Sequence, residues 1–185
     1  MRVVGGRFGG RALKGPSSDA IRPTSDRMRE SLFNILTHGL TVDLDGARVL
    51  DLFAGTGACA IEAISRGATS AVMVDIGAEA RGLQRENVEA LGLGGITRIL
   101  RRDATKLGAV SPFDPFTLLF CDPPYDKGLG EAALASAISG GWLSPGACVV
   151  LEERANAPIA LPPPLREIDR RKAGETQLVF GLMPG

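Results

Sequence analysis

The chain has 185 residues, 44 % of them hydrophobic, with 21 acidic and 21 basic side chains. That size can bury a proper core and fits one domain with at most a small appendage. No apolar run approaches the ~20 residues of a membrane span, and Met1-Arg2-Val3-Val4-Gly5-Gly6 lacks the apolar region of an export signal, so a cytoplasmic protein is expected. The zero net charge is unevenly placed. Residues 1–38 hold seven basic side chains (Arg2, Arg7, Arg11, Lys14, Arg22, Arg27, Arg29) against Asp19, Asp26 and Glu30. A basic arm on an otherwise acidic body suggests a polyanionic partner.

Residues 2–13, Arg-Val-Val-Gly-Gly-Arg-Phe-Gly-Gly-Arg-Ala-Leu, predict two short strands around a glycine-rich turn. A hairpin this small is not stable alone. Its sparse apolar content favours ordering on a partner over docking on the body. Arg22-Pro23-Thr24 then precedes a helix, with Thr24 or Ser25 as its cap and Asp26 and Glu30 in its first turns. Met28, Leu32, Ile35 and Leu36 share one helical face, Arg27 and Arg29 lie off it, and Gly39 ends the helix. His38, the only histidine, falls in the last turn and suits the helix's carbonyl end rather than catalysis.

From residue 47 onward, strands and helices alternate. Strands are expected at Ala47–Phe53, Ser70–Asp75, Ile96–Arg101, Phe116–Cys121 and Ala147–Glu152, and helices at Ile61–Arg66, Ala78–Leu91 and Leu129–Ser139. Such alternation demands a mainly parallel, doubly wound α/β sheet. Beyond the Pro162-Pro163-Pro164 connector, Leu165–Arg171 and Thr176–Leu182 have no helix between them and predict an antiparallel edge hairpin, which makes seven strands. The division expected is an extension over 1–40 and a main domain over 41–185. Cys59, Cys121 and Cys148 sit in or beside apolar stretches without metal-ligand spacing and read as reduced core thiols. A catalytic Cys121 is the alternative.

Two segments carry chemistry. The first strand runs into Asp51-Leu52-Phe53-Ala54-Gly55-Thr56-Gly57 and then a helix, a geometry in which backbone N–H groups meet a nucleotide. Asp75, at the end of the second strand, can take both hydroxyls of a ribose. Gly55 to Ala60 also fits the dinucleotide fingerprint, so a nicotinamide or flavin enzyme competes. Asp51 argues against that reading, because a carboxylate there repels a pyrophosphate and suits a sulfonium or ammonium ligand. The second segment is Cys121-Asp122-Pro123-Pro124-Tyr125, which halts a buried strand at the edge where open α/β sheets bind ligands. The Asp122 carboxylate and the Pro123 carbonyl are acceptors suited to a planar exocyclic –NH2, and Tyr125 can stack on the ring that bears it. The plainer reading is a proline turn with Asp122 as a cap and Tyr125 as surface cover.

The glycine segment resembles the S-adenosylmethionine motif of class I methyltransferases, and Asp122–Tyr125 resembles that of enzymes methylating exocyclic base amines. With Arg22-Pro23-Thr24-Ser25-Asp26-Arg27, Leu32–Leu36, Glu62–Ala68 and Gly174-Glu175-Thr176-Gln177-Leu178, nearly the whole chain is similar to the bacterial 16S ribosomal RNA guanine-N2 methyltransferases of the small subunit. One departure is Ala173, where that family usually carries an aromatic.

The resemblance implies S-adenosylmethionine as cofactor. Asp51, Gly55 and Gly57 would lie near its methionine part, Asp75 would hold its ribose, and Asp103 with Ala104 would meet its adenine. Phe53, Ala54, Thr56 and Ile76 belong to the same set. It further implies direct methyl transfer at Asp122, Pro123 and Tyr125 without a metal, and an RNA grip from Arg2, Arg7, Arg11, Lys14, Arg22 and Arg27. A monomer is expected. The rivals are a DNA adenine-N6 methyltransferase, which usually carries a target-recognition insert; a protein-glutamine methyltransferase, which more often has Asn in place of Asp122; and a non-catalytic RNA-binding assembly factor.

Overall fold

Five buried, β-rich segments become the parallel part of one sheet. The computed structural model describes residues 1–185. Its strands are β1 (Arg48–Leu52), β2 (Ser70–Val74), β3 (Thr97–Leu100), β4 (Phe116–Cys121), β5 (Leu143–Arg154), β6 (Arg166–Ala173) and β7 (Thr176–Leu182). Its helices are α1 (Asp26–Asn34), α2 (Ala58–Ser65), α3 (Ala78–Ala90) and α4 (Leu129–Ser139). The sheet order is β3-β2-β1-β4-β5-β7-β6, with β7 antiparallel to both of its neighbours. The expected seven-stranded, mainly parallel sheet and its antiparallel edge are both present. The main difference in extent is β5, which begins at Leu143 rather than Ala147 and runs two residues past Glu152.

The side chains of each strand divide between two cores. Val49, Met73, Leu118, Phe120, Val150 and Phe180 face α1, α2 and part of α3. Leu50, Leu52, Val72, Leu119, Val149 and Val179 face α4 and Trp142. Period-2 alternation thus buries both faces of the sheet, as a doubly wound fold requires. The chain reverses direction across the sheet between β1 and β4, where Leu52 pairs with Cys121. Residues 53 and 122 therefore leave the sheet side by side at its C-terminal edge. No helix is long and apolar enough to cross a membrane.

The N-terminal segment departs from expectation in two ways. Instead of two strands it has a single β-bridge, Arg2 to Ala12, and a 3-10 turn at Gly6–Phe8. Nor is it left for a partner to order: it docks on the body, with Val3 and Leu13 buried in the core of the first face. Polar contacts, which apolar content does not reveal, hold it there. The Glu62 carboxylate on α2 is wholly buried and accepts from Val4 N (2.8 Å), Gly5 N (2.9 Å), Arg29 Nε (3.2 Å) and Arg66 Nε (2.9 Å). Phe8 N donates to Ser65 Oγ, and Lys14 N to Asn87 Oδ1.

Arg29 is also corrected. Expected off the buried face of α1, it is fully buried and binds Glu62, Asp26 Oδ1, and the carbonyls of Thr24 and Arg2. The helix begins as expected, capped by Ser25 Oγ accepting from Met28 N at 3.1 Å. It ends in a π-helical turn over Ile35–Gly39.

Removing one partner of a buried ion pair leaves an uncompensated charge, a loss of about 3–5 kcal/mol. Glu62→Ala is expected to destabilise the fold by that order in urea denaturation. It should also abolish hydrogen-exchange protection at Val4 and Gly5. Retained protection there would show that Val3 and Leu13 alone hold the arm.

Candidate active site

The glycine loop is shaped by backbone demands. Phe53 has φ +55°, a left-handed conformation that costs a non-glycine residue about 1–2 kcal/mol. Gly57 follows at φ +82°, where a Cβ would lie 2.9 Å from Met73 Sδ. Asp75 pins the loop: its Oδ2 accepts from Gly55 N and its Oδ1 from Gly77 N, both at 2.9 Å. Gln84 Nε2 donates to Gly55 O and Asn87 Nδ2 to Thr56 O. Asp51 points beneath the loop, buried, and accepts from Ala60 N at 3.3 Å. Asp103 caps the short turn after β3 through one oxygen, which accepts from Thr105 N and Oγ1.

This loop and the Asp122–Tyr125 turn open on one cavity of about 740 Å3, within the size range of small-molecule sites. Its wall includes Asp51, Phe53, Ala54, Gly55, Thr56, Asp75, Ile76, Asp103, Asp122, Pro123 and Pro124. Residues 19–24 cross it as a strap. Ser17 and Ser18 fasten the strap to Glu79 at one end. At the other, Arg22 Nη2 lies 3.3 Å from Asp122 Oδ1 and 3.8 Å from Glu152 Oε1. The Arg22 guanidinium carbon sits 3.8 Å from the centroid of the Tyr125 ring. Tyr125 Oη is 3.3 Å from Glu152 Oε1 and 3.1 Å from Thr176 Oγ1. Hence β4, β5, β7 and the strap meet at Tyr125.

Residues 1–182 match the family described as Conserved hypothetical protein 95. The chain belongs to this family. Over 172 residues it is 33 % identical to Ribosomal RNA small subunit methyltransferase D of Escherichia coli K12, covering 93 % of this chain and 84 % of that protein. The Haemophilus influenzae protein of the same name is 27 % identical over 164 residues, 88 % of this chain and 83 % of that protein. Among solved structures, Escherichia coli yhhF superposes with a TM-score of 0.84 at 28 % identity, covering 100 % of this chain and 98 % of that one. The family is a class I methyltransferase family, and the seven-stranded sheet has the corresponding fold.

Most of the catalytic and cofactor residues singled out by sequence converge on the cavity, and three do not reach its wall. Gly57 lies behind the loop, Ala104 is buried under the sheet while Thr105 lines the cavity instead, and the Tyr125 ring faces Arg22. Ile76 is 65 % exposed, the one large hydrophobic side chain so placed, and it lies on the cavity wall. Glu152, Thr24, Ile21 and Leu129 also line the cavity and were not anticipated. The available signal for Glu152 was its place at the end of a buried strand, as for Asp51 and Asp75.

The site's electrostatics are dominated by buried acids. Burial, reinforced by Glu152 and opposed by Arg22, pushes the Asp122 carboxyl up to about 8. Burial likewise raises Glu152, against the pull of Arg22 and the Tyr125 hydroxyl. Asp51 is driven well above the usual carboxylate range by burial, only partly offset by the Ala60 N–H. Burial also pushes the Cys121 thiol well up, which disfavours the thiolate that a catalytic cysteine needs.

A raised carboxyl keeps in the folded state a proton that the unfolded chain releases, so stability falls as pH rises from about 4 through 8. Asp122→Asn removes this titration. Urea denaturation at pH 6 and pH 9 should show a smaller loss of stability in the variant than in the wild type. Equal losses would mean that Asp122 titrates as an ordinary carboxyl.

Proposed function

We propose that the chain transfers a methyl group from S-adenosylmethionine to the exocyclic N2 amine of a guanine in small-subunit ribosomal RNA. The observation that carries this reading is the pairing of Leu52 with Cys121, which opens the glycine loop and Asp122-Pro123-Pro124 onto one cavity, with Tyr125 beside it. The names of the relatives support ribosomal RNA as the substrate, and such a substrate places the protein in the cytoplasm.

The cavity suits the cofactor. Asp75 is held by two backbone N–H groups yet keeps further lone pairs for a ribose diol. The second oxygen of Asp103 has no protein partner among its hydrogen bonds and can accept from an adenine amine. Ile76 offers an exposed apolar surface to the adenine ring. Phe53, Ala54, Gly55 and Thr56 form the floor beside Asp51. When bound, S-adenosylmethionine supplies an electrophilic methyl group on a sulfonium.

The guanine N2 lone pair is delocalised into the ring, so the amine is a poor nucleophile. Asp122 and the Pro123 carbonyl accept its two hydrogens, favour a pyramidal nitrogen and aim the lone pair. Such alignment supplies a large part of the rate. Asp122 also stabilises the positive charge that develops on nitrogen. In its ionised form Asp122 can then take the proton that the methylated amine releases. Tyr125 stacks on the base, which must be unstacked from its neighbours to enter.

The N-terminal arm is the proposed RNA grip. Arg2, Arg7, Arg11, Lys14, Arg22 and Arg27 are all exposed. Arg11 also donates to Ala90 O, and Lys14 pairs with Glu86, which aligns the arm's charges along α3. Phosphate contacts of this kind give salt-dependent affinity.

The test of the reaction is labelled methyl transfer to small-subunit RNA lacking its native marks, as naked RNA and as partly assembled particles. Label on guanine N2, lost by at least about a hundredfold in Asp122→Ala, is expected. Label on DNA adenine instead would replace this reading with the adenine-N6 one. For the grip, Arg7→Glu with Arg11→Glu should weaken RNA binding at least about tenfold and flatten its salt dependence. Cofactor binding by calorimetry should be unchanged, and equal loss of both would make the arm structural.

A further inference from the structure

The fold gives no account of Glu152. Its side chain is 13 % exposed, it stands beside the half-buried Asp122, and Arg22 is the one cation paired with either. Two acids placed together without a fixed counter-charge are costly, and burial is most often tolerated where a ligand uses it. Their neighbour Glu153 is otherwise engaged, accepting from Asp126 N and Arg154 N. Glu152, by contrast, accepts from the Tyr125 hydroxyl and lines the cavity, 3.8 Å from the Arg22 guanidinium that covers the Tyr125 ring.

Arg22 shows what that space accepts. A planar guanidinium lies over Tyr125, and one of its nitrogens, Nη2, lies 3.3 Å from Asp122 Oδ1 and 3.8 Å from Glu152 Oε1. The N1–C2–N2 edge of guanine is likewise a planar N–C–N unit, with an N–H next to an –NH2, and so can offer each of the two acids a donor of its own. The adenine edge differs at one atom. Its N1 is a bare acceptor, whose lone pair would face a carboxylate.

Building on the proposed reaction, we propose that Glu152 is a specificity residue for guanine. Its carboxylate accepts from N1–H of the base whose N2 amine is held by Asp122, and Arg22 fills that base's place in the free protein. Asp122 thereby serves any exocyclic amine, and Glu152 restricts the amine to one flanked by a ring N–H. A site built to accept a hydrogen rejects an analogue lacking it far more strongly than an apolar pocket rejects a size change.

The experiment uses 2-aminopurine, which keeps the 2-amine of guanine but has a bare N1. The guanine labelled by the wild-type protein is located first. Small-subunit RNA fragments carrying guanine or 2-aminopurine at that position are then compared. The wild type is expected to prefer guanine by about a hundredfold or more in kcat/KM. Glu152→Gln, whose amide can donate to a bare N1, should narrow the preference below about tenfold. Competition binding with S-adenosylhomocysteine present should follow the same order without turnover.

A ratio unchanged in Glu152→Gln, with cofactor binding retained, would overturn the selection role. Equal transfer to both bases by the wild type would do so without any variant. A wild type that labels guanine and then gives either of those results leaves the proposed reaction standing and removes this inference alone. A wild type that labels no guanine overturns both.

Discussion

The Glu62 carboxylate is the constraint on which the arrangement rests. It is wholly buried, so each of its lone pairs needs a hydrogen-bond donor. Two come from the backbone at Val4 and Gly5 and two from Arg29 and Arg66. One side chain thereby fixes the N-terminal segment, α1 and α2 relative to one another. The helix that carries Glu62 starts at Ala58, directly after the glycine loop. Displacing the arm therefore also disturbs the helix that leaves the glycine loop. Arg29 extends the network to Asp26 and to the carbonyls of Arg2 and Thr24, which brings the strap into register over the cavity.

A second regularity lies along the sheet. Each of the five parallel strands carries an acid at or near its C-terminal end: Asp103 after β3, Asp75 after β2, Asp51 in β1, Asp122 after β4 and Glu152 in β5. Parallel strands bring these ends to one edge, so a single cavity collects the acids. Their surroundings then separate them. Asp75 and Asp103 accept N–H and O–H donors, whereas Asp51, Asp122 and Glu152 are desolvated and their charge is disfavoured.

The sheet was legible because alternating apolar strands and helices admit few arrangements, and because Gly55-Thr56-Gly57 and Asp122-Pro123-Pro124-Tyr125 are local signals whose meaning survives folding. What was hidden depends on contacts across long sequence separations. Arg29 reads as a surface residue on a helical wheel, since its partner Glu62 lies on another helix. The arm looked too polar to dock, because its anchors are backbone N–H groups that composition does not register. Glu152 gave only the signal of a strand-end acid. Its significance comes from β4 lying beside β5, with Tyr125 and Thr176 closing the space between. Gly57 and Ala104 illustrate the opposite error, since motif membership counted them as wall residues when the chain uses them for close packing.

The parallel run of β1 to β5 also gives the molecule a chemically silent end. All the residues discussed for cofactor, base and strap gather where those strands finish. The turns that feed them, around residues 43–47, 91–96 and 111–115, lie at the opposite edge. Lengthening or cutting the chain there alters connectivity without touching the cavity. That edge is the natural place to attach a probe, split the chain or graft a second domain, and the working edge offers no equivalent freedom.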